Sequence, residues 1–213
     1  IRGLIDRSSR FRYPPRVSSK ALPLASREDG AWVPPPEWLR TGLESCGLAA
    51  GDTAALLARL AAGESIQELS KEIGAGTFLS KRSRRGRQHL TTAIRRRYVL
   101  PRSPLAPLNA LARGLQAITA PIARNQLLLP YLLLSDRAAY EVVVDWAATR
   151  RTPGGRITTA DVVDQLAESF ARHGRKPWGP SVSLRWAQGI LSVLRDVGAV
   201  GRGRQREEYL AYA

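Results

Sequence analysis

Eight cationic side chains fall between positions 81 and 97, namely Lys81, Arg82, Arg84, Arg85, Arg87, Arg95, Arg96 and Arg97, with no acid among them. Guanidinium groups at this density suit an anionic polymer, because Arg forks onto phosphate oxygens and onto guanine O6/N7 in the major groove. If about six of these groups meet phosphates, binding falls with salt at a log–log slope of about −5. At about 100° per residue, Leu79, Ser83, Gly86, Leu90, Ala93 and Ile94 gather on one side of a helix. Lys81, Arg84, Arg85, Arg95 and Arg96 gather opposite, so the helix buries a narrow face and presents a basic one. A second basic set lies near the end of the chain, where Arg202 and Arg204 alternate with Gly201 and Gly203. Glu207 and Glu208 weaken that set as a phosphate contact.

Other chemistries lack their residues. One Cys (Cys46) and two His exclude a disulfide framework and a Cys-based zinc finger. No HExxH, P-loop, GxGxxG or GxSxG occurs. Asp136, Glu141 and Asp145 can share a helix face, but no Lys follows at nuclease-like spacing, and they read as surface acids. His173 closes a helical pattern, where its partner is the helix dipole. The expectation is a protein without catalysis, cofactor, metal or small-molecule substrate.

The elements that must hold the basic groups follow from charge and periodicity. The 213 residues carry 33 Lys+Arg against 18 Asp+Glu, a net +15, and 29 of the basic groups are Arg. Residues 73–135 contain 11 basic groups and no acid, whereas 1–72 and 136–213 carry only +1 and +3. Segregated charge points to an anionic partner more firmly than uniform charge does. The most apolar run, Leu127 to Leu134, is eight residues interrupted by Pro130, against roughly 20 for a membrane span. A cytoplasmic protein is expected.

Residues 1–50 read as an extended, Pro-rich segment; six basic residues between Arg2 and Lys20 suit either a frayed tail or a phosphate-contacting arm. Residues 51–101 read as a helix-turn-helix domain. Asp52 or Thr53 caps a first helix with Leu56, Leu57 and Leu60. Ser65 and Glu68 form a capping box for a second, with Ile66, Leu69 and Ile73 inward and Gly74-Ala75-Gly76 at its end. The basic helix spans about 80–98. Residues 102–213 read as a helical domain with helices near 104–118, 121–134, 136–150, 158–173 and 181–197. Thr158 or Thr159 caps the fourth of these, and the fifth repeats Leu184, Ala187, Leu191 and Leu194. A short hairpin over 198–212 then completes the order of a winged helix, with Arg202 and Arg204 at its turn and Arg175, Lys176 and Trp178 in the interhelical loop. The fold class is mainly α: a compact helical bundle with a helix-turn-helix/winged-helix region and a short C-terminal β-hairpin.

Four stretches of this chain resemble the BrxA family of BREX bacteriophage-resistance systems: LAAGESIQELSKEI, TFLSKRSRRGRQHLTTAIRRRY, LLLPYLLLSDRAAYEVVVDW and LRWAQGILSVLRDVGAV. The resemblance covers about 50–200 and rests on pattern. It implies a small, mostly helical antiviral-defence protein that binds double-stranded DNA beside other BREX proteins, including a DNA methyltransferase, without catalysis of its own. From the residues alone, two alternatives stand: an RNA-binding helical protein, and a scaffold docking acidic partner proteins.

Overall fold

A computed structural model describes residues 26–28, 31–34, 42–75, 78–81, 83–99, 107–147, 156–202 and 208–211. The basic groups expected between Arg2 and Lys20 lie outside these residues. The molecule is mainly helical. After an antiparallel pair, β1 (Ser26–Glu28) and β2 (Ala31–Val33), come α1 (Leu43–Cys46), α2 (Ala50–Ala61), α3 (Ile66–Ala75) and α4 (Arg84–Ile94). There follow α5 (Leu108–Ala117), α6 (Pro121–Ser135), α7 (Arg137–Tyr140), β3 (Arg156–Thr158), α8 (Thr159–Arg172), α9 (Pro180–Asp196), β4 (Val200–Arg202) and β5 (Glu208–Ala211). Two helices continue into π-helical turns, Arg95–Val99 after α4 and Glu141–Ala147 after α7.

The expected capping box forms at α3, and the Thr158 cap of α8 turns out to be a second box. The Glu68 carboxylate accepts from the Ser65 N–H at 3.0 Å and the Glu68 N–H donates to Ser65 Oγ at 3.2 Å. Thr158 and Asp161 repeat the exchange at α8. Each box satisfies donors that a helix start leaves open. The start of α2 departs from expectation. Ala49, in the left-handed region, precedes the helix, while Asp52 accepts hydrogen bonds from Ser80 and Thr53 Oγ1 donates to the Leu48 carbonyl. The basic helix also begins later than expected, at Arg84. Asp52 draws Ser80 back onto α2, so the chain cannot turn helical before Ser83 caps it. The connection from α3 to α4 is therefore residues 76–83, longer than the 3–4 residues of a tight helix-turn-helix.

The C-terminal elements have winged-helix order. Strand β3 precedes the helix pair α8–α9, and β4 and β5 follow it; β5 lies between β3 and β4, pairing Ile157 with Tyr209 and Gly201 with Leu210. Trp178 anchors the interhelical loop, its ring 5.0 Å from Phe170 and 5.9 Å from Trp186. The buried stripe of α9 contains Trp186, Ala187, Ile190, Leu191 and Leu194, and Leu184, expected inside, is exposed.

One cluster of buried side chains runs from Leu43 to Val200, so segments 51–101 and 102–213 share a core. Helix α2 packs on α5 and α6, and α1 packs on both α9 and α4. Gly42 permits the last contact. At φ +83° it sits where a Cβ would lie 3.0 Å from the Ala93 methyl. Helix α6 runs through Pro130, which is exposed, and Asn125 and Gln126 donate to the carbonyls of Asp196 and Val197 at the end of α9.

Asp136 and Glu141 are buried, contrary to the surface position expected of them. Asp136 caps α7 by accepting from the Ala139 N–H. Glu141 accepts from Arg137 Nε at 2.7 Å and from His173 Nε2 at 2.6 Å, tying α7 to the end of α8. His173 thus has a carboxylate as well as a helix end for its partner. Burial, reinforced by the Glu141 charge, raises the Asp145 carboxyl above the ordinary range. Among the described residues no helix is long and apolar enough to cross a membrane, and no three His, Cys, Asp or Glu group closely enough to hold a metal ion.

Candidate nucleic-acid interface

The basic residues divide according to which side of α4 they leave. Lys81, Arg84 and Arg85 are exposed at its entry. Lys81 ends the segment 78–81, which is held at three points. Asp52 accepts from the Ser80 N–H at 2.8 Å and from Ser80 Oγ at 2.6 Å. Leu79 is buried, and the Phe78 ring lies 5.0 Å beneath the Arg59 guanidinium. Arg59 is itself engaged by Glu64 and Glu72, which raise its pKa. Arg84 and Arg85 occupy the first turn of α4, where Ser83 Oγ accepts from the Gly86 N–H at 3.0 Å. That turn holds no acid. Two cations at the positive end of a helix oppose its dipole, so local stability does not account for them.

Arg87 and Arg97 are buried and turn away from the exposed basic groups. Arg87 is 7 % exposed; its Nε donates to the Ile73 carbonyl at 2.7 Å and its Nη1 to the Lys81 carbonyl at 3.3 Å. It joins the end of α3 to the start of α4 and fixes the backbone of Lys81. Arg97 is 1 % exposed, and its guanidinium bonds the Gly47 carbonyl and reaches Cys46 Sγ at 3.7 Å. A buried guanidinium needs such acceptors because its desolvation is costly. Beside it, burial pushes Tyr98 up to about 12. Arg95 and Arg96 are half-buried in the π-helical turn, and Arg95 Nε is buried with no hydrogen-bond partner among the described residues. Arg202 lies in β4, with its side chain outside what is described; Arg82 and Arg204 lie outside the described residues altogether.

The structure adds a residue that the apolar periodicity of α9 concealed. Arg185 is exposed on that helix, with Gln188, Gly189 and Ser192 following at i+3, i+4 and i+7. The polar positions that interrupt the Trp/Leu pattern are the signal that could have found it. The stripe forms one wall of a hollow of about 620 Å³ whose opposite side is α1, Ala49 and Ala50, with Lys81 at its rim. A second hollow of about 360 Å³ adjoins the entry of α4 and is lined by Lys81, Arg85, His89 and Leu90. Cys46 and Lys81 line both hollows. Asp196 is the acid that lines the larger one, and Arg195 lies 3.3 Å from it. Comparison of the chain with protein-family models, curated proteins and solved structures finds no match.

Proposed function

We propose that the protein is a non-enzymatic, double-stranded DNA-binding accessory protein of a bacterial BREX-type anti-phage system. The observation that carries the DNA reading is the exposed cluster of Lys81, Arg84 and Arg85 at the entry of α4, a helix whose first turn holds no acid. Cations placed against a helix dipole cost local stability, and an approaching phosphate reverses that cost. The winged-helix order of the C-terminal elements supports a duplex over a single strand, because such modules present a helix of major-groove width. The defence role rests on the sequence resemblance over about 50–200.

The test is titration of duplex DNA, hairpin RNA and single strands at two salt concentrations, with the parent protein and a Lys81→Glu/Arg84→Glu/Arg85→Glu variant. Tightest binding to duplex, weakening steeply with salt and lost in the variant, is the expected result. Preference for the hairpin makes it an RNA-binding protein. Absence of binding to any nucleic acid overturns the reading in favour of a scaffold for acidic proteins.

A further inference from the structure

The two hollows beside Cys46 suggest how a duplex is held. We propose that one phosphodiester strand of the bound duplex lies in the groove between the entry of α4 and α9, gripped by Lys81 and Arg85 from one wall and by Arg185 from the other. This rests on the DNA-binding reading above and adds to it the place of the strand and the use of α9.

Three features carry it. First, the cations come from three separate elements: Lys81 of the 78–81 segment lines both hollows, Arg185 of α9 lines the larger and Arg85 of α4 the smaller. Cations on unrelated elements share a hollow only at a cost in mutual repulsion, which a polyanion removes. Arg185 donates through Nε to the Ser181 carbonyl at 3.0 Å, and its two Nη groups have no hydrogen-bond partner among the described residues. The acid in the groove, Asp196, lies 3.3 Å from Arg195. Second, the lining matches a sugar–phosphate chain in kind. Gln188 and Ser192 supply neutral hydrogen-bonding groups, and Ala49, Ala50 and Gly189 leave room for close approach. Third, hollows of about 620 and 360 Å³ are of small-ligand scale, closer to a short stretch of one strand than to the width of a duplex.

The chain's single cysteine reports on this directly, since Cys46 lines both hollows. The experiment measures the alkylation rate of Cys46 by iodoacetamide, read by mass spectrometry, with and without saturating duplex DNA. In parallel, the salt slope of duplex binding is compared among the parent, Arg185→Ala and Lys71→Ala, the last on an exposed position of α3 outside the groove. Expected are at least fivefold slower alkylation in the complex and a slope shallower by about one in Arg185→Ala, with Lys71→Ala unchanged. Arg185 is exposed, so its loss leaves the fold intact, which circular dichroism verifies. Duplex binding with undiminished alkylation, or with the parent slope retained in Arg185→Ala, overturns the placement while leaving DNA binding standing. A parent protein that binds no duplex overturns both.

Discussion

Arg85 and Arg97 lie on one continuous helical segment and meet opposite physical problems. Arg85 is exposed at the positive end of α4, where its charge is locally unfavourable and available to a partner. Arg97 is enclosed, and its charge is tolerable because the Gly47 carbonyl accepts from it. The two therefore respond oppositely to substitution. Arg97→Ala removes a packed side chain and leaves a buried carbonyl without its donor, a loss of about 3 kcal/mol. Arg84→Glu/Arg85→Glu complements the dipole instead and raises stability by up to about 1 kcal/mol, while abolishing DNA binding. Urea unfolding of both variants, with fluorescence anisotropy of a labelled duplex, checks the pair. Destabilisation by the Glu substitutions would place Arg84 and Arg85 in the scaffold. Composition alone put Arg87 and Arg97 with the other cations. Position 97 falls roughly 20° from Leu90 and position 87 roughly 60°, inside the arc that packs, and that angle is the signal that would have set these two apart.

At the scale of elements, the segment between α3 and α4 matters because it presents Lys81, and Asp52 on the first turn of α2 holds it through two bonds to Ser80. Deleting an acid near a polyanion strengthens binding by electrostatics alone, whereas loosening Lys81 weakens it. Asp52→Ala is expected to lower duplex affinity severalfold with less than about 1 kcal/mol lost from stability, and Asp52→Asn, which keeps an acceptor, to lose less affinity. Anisotropy titration of the two variants decides between the effects, and tighter binding in both would remove the positioning role. No local pattern announced this tether. Asp52 looked like a helix cap because its sequence neighbourhood is that of a cap, and its partner lies 28 residues away. Features closed within a few residues were legible: the Ser65–Glu68 box, a Thr cap at the start of α8, the mainly α class and the terminal hairpin. Those that depend on another element were not. Glu141 read as a surface acid because His173, which sits 2.6 Å from its carboxylate, arrives from the end of α8. Neither π-helical turn has a periodicity that distinguishes it from an α-helix over so few residues. Arg185 was hidden for a related reason, since a helix with a strong apolar stripe invites attention to that stripe alone.

At the scale of the whole molecule, the shared core determines how the basic corner and the winged helix behave together. Helix α1 touches α4 on one side and α9 on the other, through Gly42 near Ala93 and Leu43 in the core. Unfolding the winged helix alone would expose Leu43 and Leu48, and unfolding α1–α4 alone would expose the faces of α5, α6 and α9 they cover. Each separation forfeits apolar burial on both sides, at about 25 cal/mol per Å², so the two halves are expected to melt together. The distribution of Trp permits a clean test. In a Trp32→Phe/Trp38→Phe parent, Trp146, Trp178 and Trp186 report on α8, α9 and their neighbours, whereas far-ultraviolet circular dichroism reports on every helix including α1 to α4. Coincident thermal transitions by the two probes are expected in the parent protein. The variant that should separate them is Gly42→Val, which strains a left-handed position and drives a side chain into Ala93. With α1 displaced, the fluorescence transition should outlast the loss of ellipticity, and Lys81 and Arg185 would no longer be held across one groove. Duplex binding by that variant should then fall even though every cation is still present, because the affinity depends on where the shared core puts them.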